Sequence, residues 1–185
     1  MIAPMLAKAV GDQVPETPGL LYEPKWDGFR CIVFREADSA VVLQSRKEED
    51  FSYLFPEVVS AAEQLPAGTT LDGELVIVGD KGLEFDLLSN RIRPRSEAGG
   101  WKIASLSEAT PARFVAFDIL RHDGQDVSQQ PFAQRRELLE SLDLPADRSQ
   151  IFDRAEALCE GNRRRHEADP IGLALFRPED PALVL

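Results

Sequence analysis

Short apolar runs at strand spacing dominate the first half of the chain. Residues 29–36 (FRCIVFRE) and 40–45 (AVVLQS) are apolar and β-branched, and the stretch between them has a length suited to a hairpin, so two antiparallel strands are predicted. Residues 69–78 (TTLDGELVIV) read as another strand, and residues 114–120 (FVAFDIL) as a buried one. Residues 55–65 change period: Val58, Val59, Ala62 and Leu65 share one helical face, with Pro56 suited to the first turn. A second helix is expected over 132–142, after Pro131. Residues 91–104, with Pro94, Gly99 and Gly100, read as a loop. Strands and helices do not alternate as βαβ units, which favours an α+β fold with antiparallel sheets. From Cys159 onward, prolines and the Arg163–Arg165 triplet interrupt any amphipathic period. That tail offers no element to name and reads as poorly ordered.

A length of 185 residues, 43% hydrophobic and 29% charged, fits one soluble domain and excludes a disordered or collagen-like chain. No apolar run approaches the ~20 residues of a membrane span, and no basic stretch precedes an apolar one at the N-terminus. A cytoplasmic protein without membrane contact is expected. The two cysteines, Cys31 and Cys159, support neither a disulfide framework nor a zinc site. The formal charge of -11 disfavours nucleic-acid binding through a broad basic face, leaving a local cluster or another part of the protein or partner to supply such contacts.

The chemistry concentrates in Glu23-Pro24-Lys25-Trp26-Asp27-Gly28-Phe29-Arg30. A lysine before a glycine turn can serve as a nucleophile once its amine is deprotonated. From a reference pKa of ~10.4 this costs about 4 kcal/mol near neutral pH. Arg30, a bound divalent metal and desolvation lower that cost, whereas Glu23 and Asp27 raise it unless a metal neutralises them. Strand alternation puts Arg30 on one face with Ile32 and Phe34, where an arginine requires an anion. The same rule puts Asp72 and Glu74 on one face with Val76 and Val78, as in sites that bind a metal, a sugar hydroxyl or a basic partner. Gly73 between them permits close approach. Each residue alone also has an ordinary reading: Lys25 as a solvated turn lysine, Asp72 and Glu74 as exposed strand residues, Phe117 as a core phenylalanine.

Together these residues resemble the ATP-dependent DNA ligases, within the covalent nucleotidyltransferase superfamily. The first family motif, E-x-K-x-D-G-x-R, is met by Glu23, Lys25, Asp27, Gly28 and Arg30. Ser45-Arg46 and the FPE at 55–57 are similar to the next block, Leu71-Asp72-Gly73-Glu74 to the third motif, and Phe114 to Asp118 to the one after it. Pro4-Met5-Leu6-Ala7-Lys8 is similar to the start of small bacterial repair ligases of the ligase C type. The resemblance runs over residues 2–142. It implies a nucleotidyltransferase (ATP-grasp-like) adenylation domain, ATP and Mg2+ as cofactors, and nicked duplex DNA as partner in DNA repair and recombination. Lys25 would be the catalytic nucleophile that takes the adenylyl group. Glu23 would lie near the adenine edge through its backbone, Arg30 and Arg46 near the ribose, the phosphates or the nicked-strand phosphate, and Glu74 on the ribose or a metal-bound water. Phe117 would stack on adenine, with Phe114 as the alternative.

The chain departs from the family pattern after these motifs. Its five lysines are Lys8, Lys25, Lys47, Lys81 and Lys102, so the late lysine motifs find no match. Glu160-Gly161 is followed by Asn162 and three arginines rather than an apolar strand, and arginine does not replace a lysine point charge. These departures predict an incomplete adenylation domain over 1–158, a divergent tail over 159–185, no oligonucleotide-binding-fold domain, and weak or absent sealing unless a complementing chain or repair proteins assist. The alternatives are a capping-type guanylyltransferase, which shares K-x-D-G-x-R, and a non-catalytic ligase remnant or binding module.

Overall fold

The computed structural model describes residues 2, 21–24, 26–38, 40–79, 82–94, 96–97, 99–142, 152–154 and 173–176. Ten strands and four α-helices are described: β1 (Leu21–Pro24), β2 (Phe29–Arg35), β3 (Val41–Ser45), α1 (Pro56–Ala62), β4 (Thr69–Val76), β5 (Val78–Gly79), β6 (Gly82–Leu83), α2 (Phe85–Ser89), α3 (Gly100–Ala109), β7 (Arg113–His122), β8 (Gln125–Asp126), α4 (Phe132–Ser141), β9 (Phe152–Arg154) and β10 (Leu173–Phe176). The principal sheet has the order β3-β2-β4-β7-β8, all antiparallel, with β9 added to β7 in parallel. The expected hairpin is β2–β3, and the strands expected from residues 69 and 114 are β4 and β7.

Alternation along these strands sorts the side chains onto two faces. Cys31, Val33, Leu43, Leu71, Leu75, Phe114, Ala116 and Ile119 enter the main core, which also takes Val58, Ala61 and Ala62 of α1, Ile103 of α3 and Leu139 of α4. On the opposite face, two smaller clusters form. One joins Ile32, Phe34 and Leu120; the other joins Val76, Val115 and Phe117, with Trp26 and Leu83 packed against it.

Two buried arginines fasten helices and loops to this sheet. Arg91 binds both oxygens of Glu57 on α1, the Leu54 carbonyl at 2.8 Å and the Ser107 hydroxyl at 2.9 Å. Glu57 also accepts from the Ala112 amide at 3.0 Å. The Phe55-Pro56-Glu57 block is therefore a joint between α1, α3 and the start of β7. Arg135 of α4 holds Asp118 of β7 through two hydrogen bonds of 2.8 Å, both side chains being buried.

Two expectations need correction. The stretch read as a loop over 91–104 ends at Gly99, because α3 starts at Gly100. Ile103 is its only buried residue, so no apolar period announces it. In the tail, where no element was expected, residues 173–176 form β10 and pair antiparallel with β1, setting Ala174 opposite Glu23.

Candidate functional site

The second face of the principal sheet brings together residues that are far apart in sequence. Arg30 of β2 stands opposite Glu74 of β4, and Ile32 opposite Asp72, so Arg30 reaches Asp72 diagonally. The guanidinium makes a two-point contact: Nε donates to Oδ1 at 2.5 Å and Nη2 to Oδ2 at 2.7 Å. Asp72 is 1% exposed and Arg30 16%. The anion that an arginine on this face requires is thus Asp72. Burial raises the Asp72 carboxyl above the usual carboxylate range; Arg30 opposes that shift, and Asp118 across the β4–β7 pair adds to it.

Phe117 completes the group. The Arg30 guanidinium carbon lies 4.4 Å from the centre of its ring, a cation–π contact. Between the pairs Gly73–Ala116 and Asp72–Asp118 the register slips, which leaves Phe117 as an extra β7 residue with no partner on β4. A bulge of this kind redirects a side chain next to a site. Phe114, the alternative stacking residue, is fully buried in the main core. There its ring fills the space over Gly73, whose missing Cβ would lie 2.5 Å from it and 2.4 Å from the Val115 carbonyl oxygen. Phe114 thus lies on the core face of the sheet, away from the cluster that contains Phe117.

The turn that follows Lys25 is pressed against β4. A Cβ on Gly28 would stand 2.1 Å from the Leu75 carbonyl oxygen and 2.9 Å from side-chain atoms of Glu74 and Val76, so only glycine allows this approach. Trp26 packs with Val76, Val115 and Phe117. Asp27 is exposed, and Glu74 is half-buried beside the turn. Arg46 is exposed immediately after β3, whose last residue, Ser45, pairs with Cys31 next to Arg30. Lys25 itself lies outside the described residues. Glu23 is described as a β1 residue only.

Of the six expected site residues, Arg30, Glu74 and Phe117 gather on one face, and Arg46 sits at the same end of the β2–β3 hairpin. Sequence reasoning missed the pairing of Arg30 with Asp72, although it puts each on an apolar face of its own strand; that β2 and β4 are neighbours comes from the sheet order. It also missed Trp26 and Leu83 as wall residues; for Trp26 the available signal was its position beside Lys25.

The arrangement can bind an anion-bearing ligand with an aromatic part: cations and carboxylates on one side, an apolar wall of Trp26, Val76, Val115, Leu83 and Phe117 on the other. Comparison with known proteins gives the family. DNA ligase C2 of Mycolicibacterium smegmatis is 41% identical over 176 residues, covering 93% of this chain and 47% of that protein. DNA ligase C of Mycobacterium tuberculosis is 43% identical over 139 residues, covering 75% of this chain and 37% of the relative. The chain therefore spans about half or less of the length of these curated relatives. Among solved structures, a mycobacterial DNA ligase D complexed with ATP and MES superposes with a TM-score of 0.71 at 26% identity, over 98% of this chain and 58% of the other. Residues 4–157 match the family described as ATP dependent DNA ligase domain, and with these relatives at 41–43% identity the chain belongs to the ATP-dependent DNA ligase family.

Proposed function

We propose that this chain uses ATP to adenylylate Lys25, as the first step of sealing nicked duplex DNA in repair and recombination. The supporting observation is the convergence of Arg30, Asp72, Glu74 and Phe117 on one sheet face, against which the turn after Lys25 is pressed. Relatives named as DNA ligases and an ATP-bound ligase D of similar fold support the same reading.

In the proposed step, the neutral Lys25 amine attacks the α-phosphorus of ATP. A nitrogen–phosphorus bond forms, the bond to the bridging oxygen breaks, pyrophosphate leaves with the electron pair, and the amine loses a proton to solvent. Positioning and charge stabilisation carry such a transfer. Phe117 is the platform for adenine, and Glu23 lies near its edge. Arg46 and Arg30 face the ribose or phosphates, with Arg30 held in one orientation by Asp72. Glu74 is the carboxylate for the ribose or for magnesium. Among the described residues no three His, Cys, Asp or Glu side chains gather, and Asp72 is engaged by Arg30. Glu74, half-buried beside the turn, is the residue that would hold a magnesium ion. When bound, it would neutralise charge on the phosphates.

The adenylylating unit is assigned to residues 1–158 and the divergent segment to 159–185, within a protein of the cytoplasm. No described helix is long and apolar enough to cross a membrane. With no lysine after Lys102, sealing by the 185-residue chain alone is expected to be very weak, with a complementing chain or repair proteins as further partners.

Incubation with α-labelled ATP and magnesium, followed by a denaturing gel and peptide mapping, tests the assignment. Label is expected on the Lys25 peptide and absent from Lys25→Ala; a labelled Lys25→Ala chain overturns it. Preference for GTP in the same assay turns the reading toward a capping-type guanylyltransferase.

A further inference from the structure

Trp26 carries a polar group that no described residue uses. Its indole packs with Val76, Val115 and Phe117, and its Nε1–H is buried with no hydrogen-bond partner among the described residues. The indole nitrogen is a donor only, and a buried donor left unpaired carries its whole desolvation penalty. An unpaired donor packed against Phe117, on the sheet face that also carries Arg30 and Glu74, is a group kept for an acceptor that arrives with a ligand.

We propose that Trp26 is a nucleotide-contacting residue whose Nε1–H donates to an acceptor on the nucleoside half of the bound nucleotide. This rests on the adenylylation reading above. The nucleoside, rather than the triphosphate, is assigned because Trp26 belongs to the apolar cluster that contains Phe117. Phosphate oxygens would be drawn instead to Arg46, exposed just past the end of β3. The contact orients base and sugar, and thereby aligns the α-phosphate with the residue next to Trp26 in the chain.

The test uses the full 185-residue chain. Trp26 and Trp101 are its only tryptophans, and Trp101 is 80% exposed, so Trp101→Phe leaves Trp26 as the sole reporter. Binding of ATP and of inorganic tripolyphosphate is measured for this parent, for Trp26→Phe, and for the parent carrying benzothienylalanine at position 26. Benzothienylalanine keeps the bicyclic shape and replaces N–H by sulfur. Both donor-less chains are expected to bind ATP about tenfold more weakly, the scale of one buried hydrogen bond, with tripolyphosphate binding unchanged. Trp26 emission in the parent should shift when ATP binds.

ATP affinity within twofold of the parent for the benzothienylalanine chain overturns the proposal, as does an equal loss for tripolyphosphate. The emission shift keeps the test decisive if Trp26→Phe does not fold: ATP binding that leaves Trp26 emission unchanged also overturns it. A parent that binds ATP but takes no label on Lys25 ends the adenylylation reading alone; one that binds no nucleotide ends both.

Discussion

Asp72 and Arg30 form a two-point ion pair in which the carboxylate is buried and the guanidinium retains a little contact with solvent. Burial is the largest influence on the Asp72 carboxyl and raises it; Arg30 pulls it back without cancelling the effect. A group with a raised folded-state pKa binds more protons folded than unfolded across the interval between the two values. In that interval, stability falls as pH rises. Thermal melts should therefore show the native chain losing stability, relative to Asp72→Asn, as pH climbs upward from the ordinary carboxylate range. A flat difference between the two chains across that interval would count against the buried, raised carboxyl.

Removing the other partner should be harsher. Arg30→Met leaves Asp72 buried without the guanidinium, and breaking a buried pair from one side costs about 3–5 kcal/mol. It also uncovers the Phe117 ring. Denaturant unfolding should show the loss, and Arg30→Lys should recover only part of it, because an ammonium cannot make the two-point contact.

The Asp118–Arg135 pair makes a useful contrast. Arg135 gives two nitrogens to Asp118 and a third to the Gln130 carbonyl at 2.5 Å, tying α4 and the segment before it to β7. Arg135→Met should cost a similar ~3–5 kcal/mol. Its effect on Lys25 labelling, measured well below the melting point, should be small, because this pair fastens a helix rather than lining the proposed nucleotide face. A labelling loss as large as that of Arg30→Met would contradict the division between the two pairs.

How much of this could be read in the residues depends on the physical signal each element leaves. The β2–β3 hairpin, β4 and β7 were legible because apolar side chains recur at period two, and α1 because Val58, Ala62 and Leu65 recur at helical spacing. Helix α3 left no such trace, with a single buried residue and two glycines at its start. In the candidate site, alternation grouped Arg30 with Ile32 and Phe34, and Asp72 and Glu74 with Val76, although Val78, read on the same face, lies beyond β4 and is exposed. It could not give the register of β2 on β4, so it could not join Arg30 to Asp72. Nor could it foresee the slip around Phe117, because a bulge is set by the pairing of two strands. The buried Arg91–Glu57 joint was equally hidden: Arg91 sits in a segment that reads as loop, yet is fully buried.

Phe114 and Phe117, three residues apart on β7, should respond to truncation in opposite ways. Phe114 is fully buried and its ring lies over Gly73, so Phe114→Ala opens a cavity at the centre of the sheet and should cost about 3–5 kcal/mol. Any loss of labelling should vanish once the folded fraction is taken into account. Phe117 is 8% exposed and belongs to the small cluster on the other face. Its removal should cost less stability but deprive a nucleobase of its platform, worth ~1–3 kcal/mol per stacked base. Phe117→Ala should thus lower ATP affinity roughly tenfold or more in a chain that still melts cooperatively, whereas Phe117→Tyr should retain most of it. Titration calorimetry with ATP, alongside denaturant unfolding, separates the two positions. If Phe114→Ala weakens ATP binding by the larger factor at equal folded fraction, the face of the sheet assigned to the nucleotide is the wrong one.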